Sequence, residues 1–428
     1  MSRMRPSSSR SSRLRTELGP LLAGSAAFAI SWAALVYSHV FQKWLIGDVR
    51  FYDNWASLTA AHRLPYGDFR LEYPPGALPA FAAPVYLRKL AGYHGIYYDW
   101  FRVEILVLGL LTLVAMAWAL HSLGASVRHR YGALVFAGFA ALLLGPIAVS
   151  RYDYWPALLS VLGVAALLAG RDRLACALIT AGFVAKVYPL VLLPIALLVL
   201  WRRRRLRGVA EGVGVSALVA AAGFVPFLVS APHGLWEGMW RQASRPLQVE
   251  ALGASFWYVA HQVGGLHVHS VKSYGSDNLV TPGADMAATL SGVAVIVALL
   301  GVWVWFARSS GGRDEIAVAA AASVVAYIAF NKVFSPQYLV WLFPLVPLVR
   351  GRRGLWATVL LGLVTALTQV WEPYHYPALY KHGAAWVSGV LLARDLLVVC
   401  LLALLVWPRR SASTVPAEEL EPAGAAVV

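Results

Sequence analysis

Cysteine is nearly absent from this chain. Two occur in 428 residues, Cys176 and Cys400, in separate apolar runs, which excludes a disulfide framework and a thiolate metal site. Charge is scarce as well, at 13% of residues against roughly 25% in soluble domains. Acids are the scarcer sign, 21 Asp and Glu against 36 Lys and Arg. The sequence has no Walker-type lysine loop, no Gly-rich dinucleotide fingerprint and no Gly-x-Ser-x-Gly elbow. No polar segment is long enough to form a soluble domain for a nucleotide sugar.

What is present is apolar. Hydrophobic residues reach 59%, in long runs that read as an all-α polytopic membrane protein. The net charge of +15 could point to nucleic acid, but its distribution points to topology. More than half of the basic residues fall in the short segments 1–17, 121–130, 171–173, 202–207, 308–313, 350–353 and 409–410. These alternate with segments where Asp48, Asp53, Asp68, Glu72 and Asp99 nearly balance the bases. Positive-inside asymmetry then places both termini and the basic loops in the cytoplasm and the alternate loops outside. Nucleic acid is not an expected partner; membrane phospholipid is.

Residues 1–16 read as a disordered basic tail, 17–408 as the transmembrane domain and 409–428 as a second tail. The run Leu18–Val40 is too long for a signal-peptide core and reads as an uncleaved anchor. The outer loops are 41–100 and 231–284. Within the first, Pro79–Leu90 is apolar but too short to cross. In the second, Val249, Leu252, Phe256, Val259 and Val263 repeat at helical spacing and predict a helix on the membrane surface. The run Leu174–Trp201 has arginines at both ends, so one straight span would strand several outside. Two arms broken at Lys186-Val187-Tyr188-Pro189 keep both ends inside. The count is about twelve transmembrane or re-entrant helices, without a repeat of the kind transporters carry.

The informative residues crowd the outer face. Asp48 directly follows the first span, with Arg50, Tyr52 and Asp53 behind it. It reads as a general base at the mouth of the bundle or as a plain boundary charge. Tyr73-Pro74-Pro75-Gly76 is stiff and could hold Tyr66 and Glu72 against the membrane, or simply start a helix. Asn331 to Tyr338 joins two spans. Ser335 as cap and Pro336 at the first helical position would aim a helix start outward beside Lys332, an anion site or only a well-capped hairpin. Lys186, Arg151 with Asp153, and Arg241 with Arg245 suit a lipid-linked phosphate, and equally phospholipid headgroups. His261, His267 and His269 make a weak metal signal, and no metal or cofactor is assigned. Arg394 and Asp395 lie inside the last span, where adjacent residues do not face each other, so each is expected to pair elsewhere in a structural network.

Gly47-Asp48-…-Tyr52 and Leu64-Pro65-Tyr66-Gly67-Asp68-…-Glu72-Tyr73-Pro74-Pro75 resemble the first outer loop of glycosyltransferase family 87. These are actinobacterial, polyprenyl-phosphate-mannose-dependent mannosyltransferases of the GT-C superfamily. Arg151-Tyr152-Asp153, Lys186-Val187-Tyr188-Pro189, Ser244 to Glu250 and Lys332 to Tyr338, with Gln337, are similar to that family too. The resemblance spans roughly 20–405. It implies a GT-C-type bundle with a catalytic first outer loop and inverting transfer of a hexose, mannose in the family. The donor would be a polyprenyl phosphate, the acceptor a hydroxyl of an envelope glycolipid or glycan, and the site extracytoplasmic. It matches Asp48 to the catalytic aspartate and places Arg50, Tyr52, Asp53, Tyr66, Glu72, Tyr73, Arg151, Asp153, Lys186, Arg245, Lys332 and Gln337 around substrate. The chain lacks the Asp-x-Asp triplet of some GT-C enzymes, which leaves Asp53 as a rival base. The other function class is a transporter, flippase or ligase-polymerase of lipid-linked sugars. A transporter should carry charges along a mid-membrane path, whereas here they gather at one face.

Overall fold

The computed structural model describes residues 10–41, 44–45 and 47–408. Among them the chain is helical apart from turns, loops and one two-stranded hairpin, an all-α polytopic membrane protein. Seven segments are long and apolar enough to cross a membrane, including Leu18–Tyr37, Tyr97–Ser122, Ala284–Arg308 and Ala385–Val406.

The first helix, α1 (Arg10–Tyr37), starts inside the stretch expected to be a disordered tail. No breaker separates Arg10 from the span, so the helix propagates backward from it. Residues 1–9 and the expected C-terminal tail from 409 onward lie outside the described residues. Beyond α1 come α2 (Val49–Ala60), α3 (Leu78–Leu90), α4 (Tyr97–Ser122), α5 (Val127–Leu144) and α6 (Tyr154–Leu168).

The Arg-bounded run breaks at Lys186. Helix α7 (Asp172–Ala185) ends there, and a 3-10 turn, Tyr188–Leu192, opens α8 (Leu193–Ser230). Helix α8 is itself two arms, because Arg205 sits at φ 54 and turns the chain back. Gly212 on the second arm faces Leu197 and Leu200 on the first. The folded-back arginines are tied down at this end. Arg203 pairs with Asp172, and Arg202 donates to the carbonyls of Phe306, Ala307 and Ser309.

Helix α9 (Pro232–Ala243) and α10 (Leu252–Gly264) lie in the 231–284 loop with strands β1 (Ser270–Ser273) and β2 (Ser276–Leu279), which pair antiparallel. The apolar stripe read for α10 faces outward, with Phe256 and Val263 exposed. The buried side is Ala254, Ser255 and Tyr258, packed against α15. Then follow α11 (Ala284–Arg308), α12 (Arg313–Phe330), α13 (Gly351–Trp371), α14 (Tyr376–His382) and α15 (Ala385–Val406).

Helix α12 is the axis of the bundle, buried almost throughout, with alanine at 319–322 allowing close approach. The following segment was expected to descend as a helix. Instead it runs as 3-10 turns, Pro336–Trp341 and Val346–Leu348, with Pro336, Pro344 and Pro347 denying α-helical bonds. Irregular backbone at this depth is tolerated because it is enclosed in protein.

Candidate functional site

The 41–100 and 231–284 loops, the break at Lys186 and the 331–337 connection meet at one end of the bundle. Two cavities lie there. The polar one, 430 Å³, includes Asp48, Arg151, Glu250, Asp277, Gln337 and Glu372 in its lining. The other, 490 Å³, includes Lys186, Lys332, Tyr338 and Val295. Glu72, Tyr73, Gln242 and Arg245 line both, so the two chambers share a wall.

Asp48 enters the polar chamber just before the first turn of α2 and forms an ion pair with Arg151 at 3.1 Å. Gly47 makes this possible. Its φ is +37, and a Cβ there would stand 2.3 Å from Arg151 Nη1. Burial alone would lower the Arg151 pKa, but Asp48, with Tyr52 and Tyr73, outweighs it and the guanidinium is held firmly charged. Behind Asp48 the floor is aromatic: Tyr52 stacks on Phe81 with centroids 4.5 Å apart, and Tyr73 meets Tyr152 edge-on at 5.1 Å.

The Pro-Pro corner carries Glu72 and Tyr73 to the shared wall. A Cβ on Gly76 would meet the Val184 backbone at 2.7 Å, so only glycine lets this corner seat directly on the end of α7. Trp155 Nε1 donates to Gly76 O at 2.9 Å and fixes the contact. The same contact brings Tyr73 to Lys186, whose ammonium lies over the rings of Tyr152 and Trp341 at 4.8 and 5.2 Å. Glu72 pairs with Arg241 at 3.3 Å.

In the apolar chamber Lys332 Nζ donates to Ala243 O at 2.8 Å. Burial and the nearby Arg245 push its pKa down. Arg245 donates to Ser276 Oγ at 2.9 Å. The chamber opens beside α11, where Leu290, Val293 and Ile296 are exposed on the flank of the bundle.

Four expected substrate contacts stand off both chambers. Arg50 is exposed and lies over the Phe51 ring, 4.8 Å from its centroid. Asp53, a turn further along α2, takes Ser57 Oγ at 3.4 Å instead of facing the cavity. Burial raises its pKa. Tyr66 is buried and donates to Tyr73 O at 2.5 Å, bracing the loop. Asp153, 1% exposed, accepts from Lys186 Nζ and Trp341 Nε1, both at 2.6 Å. It holds the lysine rather than a ligand. Ser335 does not cap a helix either: the turn after it is 3-10, and its hydroxyl accepts from Gln248 Nε2 at 2.9 Å. No helix start therefore aims at Lys332.

Sequence reasoning missed the far wall of the polar chamber. Glu372 directly follows α13, the position relative to a span that singled out Asp48, and the same signal could have found it. Burial raises its pKa to about 7. Glu250 is pushed well up by burial and by neighbouring Glu372. Asp277 accepts from Tyr376 OH at 3.1 Å. Arg394 supports this wall from α15. It donates to Glu250 O at 2.8 Å, lies 3.8 Å from the Phe334 ring centroid and pairs with its neighbour Asp395 at 3.0 Å. The adjacent pair was expected to have only separate partners; buried side chains bend to meet, and Asp395 also takes Ser255 Oγ at 2.5 Å. Among the described residues no three His, Cys, Asp or Glu side chains are grouped to hold a metal ion.

This arrangement can accept a proton at Asp48, hold an anion at the lysines and admit an apolar chain beside α11. The model of a family described as glycosyltransferase family 87 matches residues 71–336, more than half of the chain. The match takes in Glu72, Arg151, Lys186, Arg245 and Lys332; Asp48 and Gln337 lie outside it. No curated protein matches. Among solved structures the chain is similar to the crystal structure of ArnT from Cupriavidus metallidurans in the apo state. That match has 15% identity and a TM-score of 0.47, over 91% of this chain and 76% of the other.

Proposed function

From a chain that belongs to glycosyltransferase family 87, and is a membrane glycosyltransferase, we propose transfer of a hexose, mannose by resemblance, from a polyprenyl phosphate to an acceptor hydroxyl. The acceptor is a cell-envelope glycolipid or glycan, the anomeric centre is inverted, and the site faces outward. The observation that carries this reading is the pair of chambers that share a wall: one is polar with carboxylates, the other more apolar, with cations and lined on one side by α11.

The polyprenyl chain lies in the apolar chamber and its phosphate rests among Lys332, Arg245 and Lys186. The sugar crosses the shared wall past Glu72 and Tyr73. Asp48, oriented by Arg151, takes the acceptor proton as the acceptor oxygen bonds to the anomeric carbon. The bond from that carbon to the phosphate oxygen breaks, and its electron pair leaves with the phosphate. Lysine and arginine neutralise the leaving group in this scheme, so EDTA should leave turnover unchanged; loss restored by manganese or magnesium would sink that step.

Purified protein incubated with labelled polyprenyl-phosphate mannose and an alkyl glycoside should form a glycosylated product. Absence of both product and donor consumption would defeat the proposal. Outward orientation is tested in a cysteine-free background. A cysteine at exposed Ser57 should react with an impermeant thiol reagent in intact cells, and one at exposed Ser310 should not. The reverse labelling would put the site in the cytoplasm.

A further inference from the structure

The polar chamber is larger than a base and a leaving group require, and its far wall has a chemistry of its own. Glu250, Asp277 and Glu372 come from the second outer loop, the hairpin and the end of α13 and line one cavity. Their carboxyls are close enough for Glu372 and Asp277 to push the Glu250 pKa upward. The nearby cations offset them only in part: Arg394 and Arg245 act against the upward shift of Glu250 and Arg151 against that of Glu372, and burial outweighs both. Arg151 is committed to Asp48, and Arg245 donates to Ser276 at the shared wall. Lys272 stands exposed on the hairpin. Arg394 is 0% exposed and reaches only the backbone of Glu250. The Glu372 carboxylate forms no hydrogen bond or ion pair among the described residues.

A second observation points to a ligand. Gln248, 2% exposed, lines the same chamber, and its Oε1 has no hydrogen-bond partner. Its amide nitrogen is occupied by Glu250 and Ser335. The wall therefore presents a row of oxygen acceptors, and aromatic rings of Tyr274 and Tyr376 line the same space. Sugar hydroxyls are donors that such a row can receive two at a time. An anion would meet five carboxylates against three cations, of which Arg151 is paired with Asp48 and Arg245 bonded to Ser276, and would lose hydration with little replacement.

We propose that the acceptor entering the polar chamber is an uncharged, polyhydroxylated saccharide end, held through its hydroxyls by Glu250, Asp277 and Glu372, and that acceptor ends bearing phosphate or carboxylate are excluded. This rests on the transferase reading for what the chamber is used for, but the recognition can be measured without donor. Charge is thus sorted within the site: the phosphate of one substrate is drawn to the cationic chamber, and the other substrate is selected for having none.

The test uses the full chain in lipid nanodiscs with two probes, octyl mannoside and octyl mannoside 6-phosphate, and measures equilibrium binding in the absence of donor. At pH 8, where Glu372 is ionised, the neutral probe should bind at least about tenfold more tightly, since like-charge juxtaposition is strongly unfavourable. Glu372→Gln and Asp277→Asn should each weaken the neutral probe by roughly tenfold or more through loss of a charge-assisted bond, and narrow the gap between probes. Affinity for polyprenyl phosphate should stay unchanged in both variants, which separates recognition from misfolding. Equal binding of the two probes, tighter binding of the phosphorylated one, or failure of the neutral probe to bind would each overturn the proposal. Selective binding by a protein that transfers nothing from polyprenyl-phosphate mannose would overturn the donor reading and leave this one standing.

Discussion

The polar chamber is lined by five carboxylates and three cations, whereas the apolar chamber has Lys186, Lys332 and Arg245 against Glu72 alone. The polar chamber is walled largely by loops and the hairpin, and the apolar one by the break before α8 and the flank of α11. The contrast shows how one small site can separate two ligands without a soluble domain. In the transfer proposed above, membrane depth and lipid access deliver one substrate, and a wall of oxygen acceptors receives the other. Arg245 and Glu72 stand between, so their loss should disturb both sides.

Asp48→Asn is the sharpest way to break the contrast. It keeps size and hydrogen bonding but cannot accept a proton, so turnover should fall by about 10²–10⁴ with polyprenyl-phosphate binding retained. Asp53→Asn, off the cavity, should change turnover little. A dead Asp53→Asn beside an active Asp48→Asn would move the base.

Next in size is Lys332→Gln, confined to the apolar chamber. Loss of a charge-assisted contact of about 1.5–3 kcal/mol should raise the donor KM by one to two orders of magnitude and leave the acceptor KM in place. A change in the acceptor KM alone would mean that the chambers are assigned the wrong way round.

A smaller effect separates the chambers by pH. Burial raises Glu372 to about 7, so it holds its proton below that pH and is ionised above it. The ionised form accepts hydroxyl bonds more strongly, so the acceptor KM should fall several-fold as pH rises from 6 to 8. Glu372→Gln should flatten that dependence. The same raised pKa means that its burial disfavours the folded state progressively as pH rises from the ordinary glutamate range towards 7. Thermal unfolding of Glu372→Gln should therefore gain on the wild type across that window.

The smallest expected effect is Gly47→Ala. A left-handed φ and the close Arg151 guanidinium make any side chain strained there, at a cost on the order of 1–2 kcal/mol. Turnover should drop modestly, with donor binding unmoved; a wild-type rate would show that the Gly47 approach does not position Asp48.

The spans, the break at Lys186 and the gathering of charge at one face were legible because apolar run length and arginine placement are local properties of the chain. The far wall was not. Glu372 carried the same span-end signal as Asp48 and Glu250 lay in the Ser244 to Glu250 motif, but that they form one wall with Asp277 shows only when α13, the hairpin and the 231–284 loop converge. Asp53 and Asp153 misled for the opposite reason. Each sits in a charged motif, but one turn of α2 carries Asp53 away from the cavity, and Asp153 is buried off both chambers with its Oδ1 holding Lys186 and Trp341. Sequence spacing names the charges and cannot tell which of them are already satisfied. The 336–348 run misled through its apolarity, which fits a span, while its prolines impose 3-10 turns.

Arg394 gives the order of biosynthesis a role in activity. It lies on α15, which leaves the ribosome after every residue lining the two cavities, and it ties that helix to the Glu250 backbone and the Phe334 ring. A nascent chain halted before Ala385 already has every residue of the two cavities, yet lacks the group that braces the wall. Activity should therefore appear only once α15 is inserted. A chain truncated at Gly383 should regain little activity alone and more when residues 384–408 are co-expressed as a separate span, and Arg394→Leu in that span should abolish the rescue.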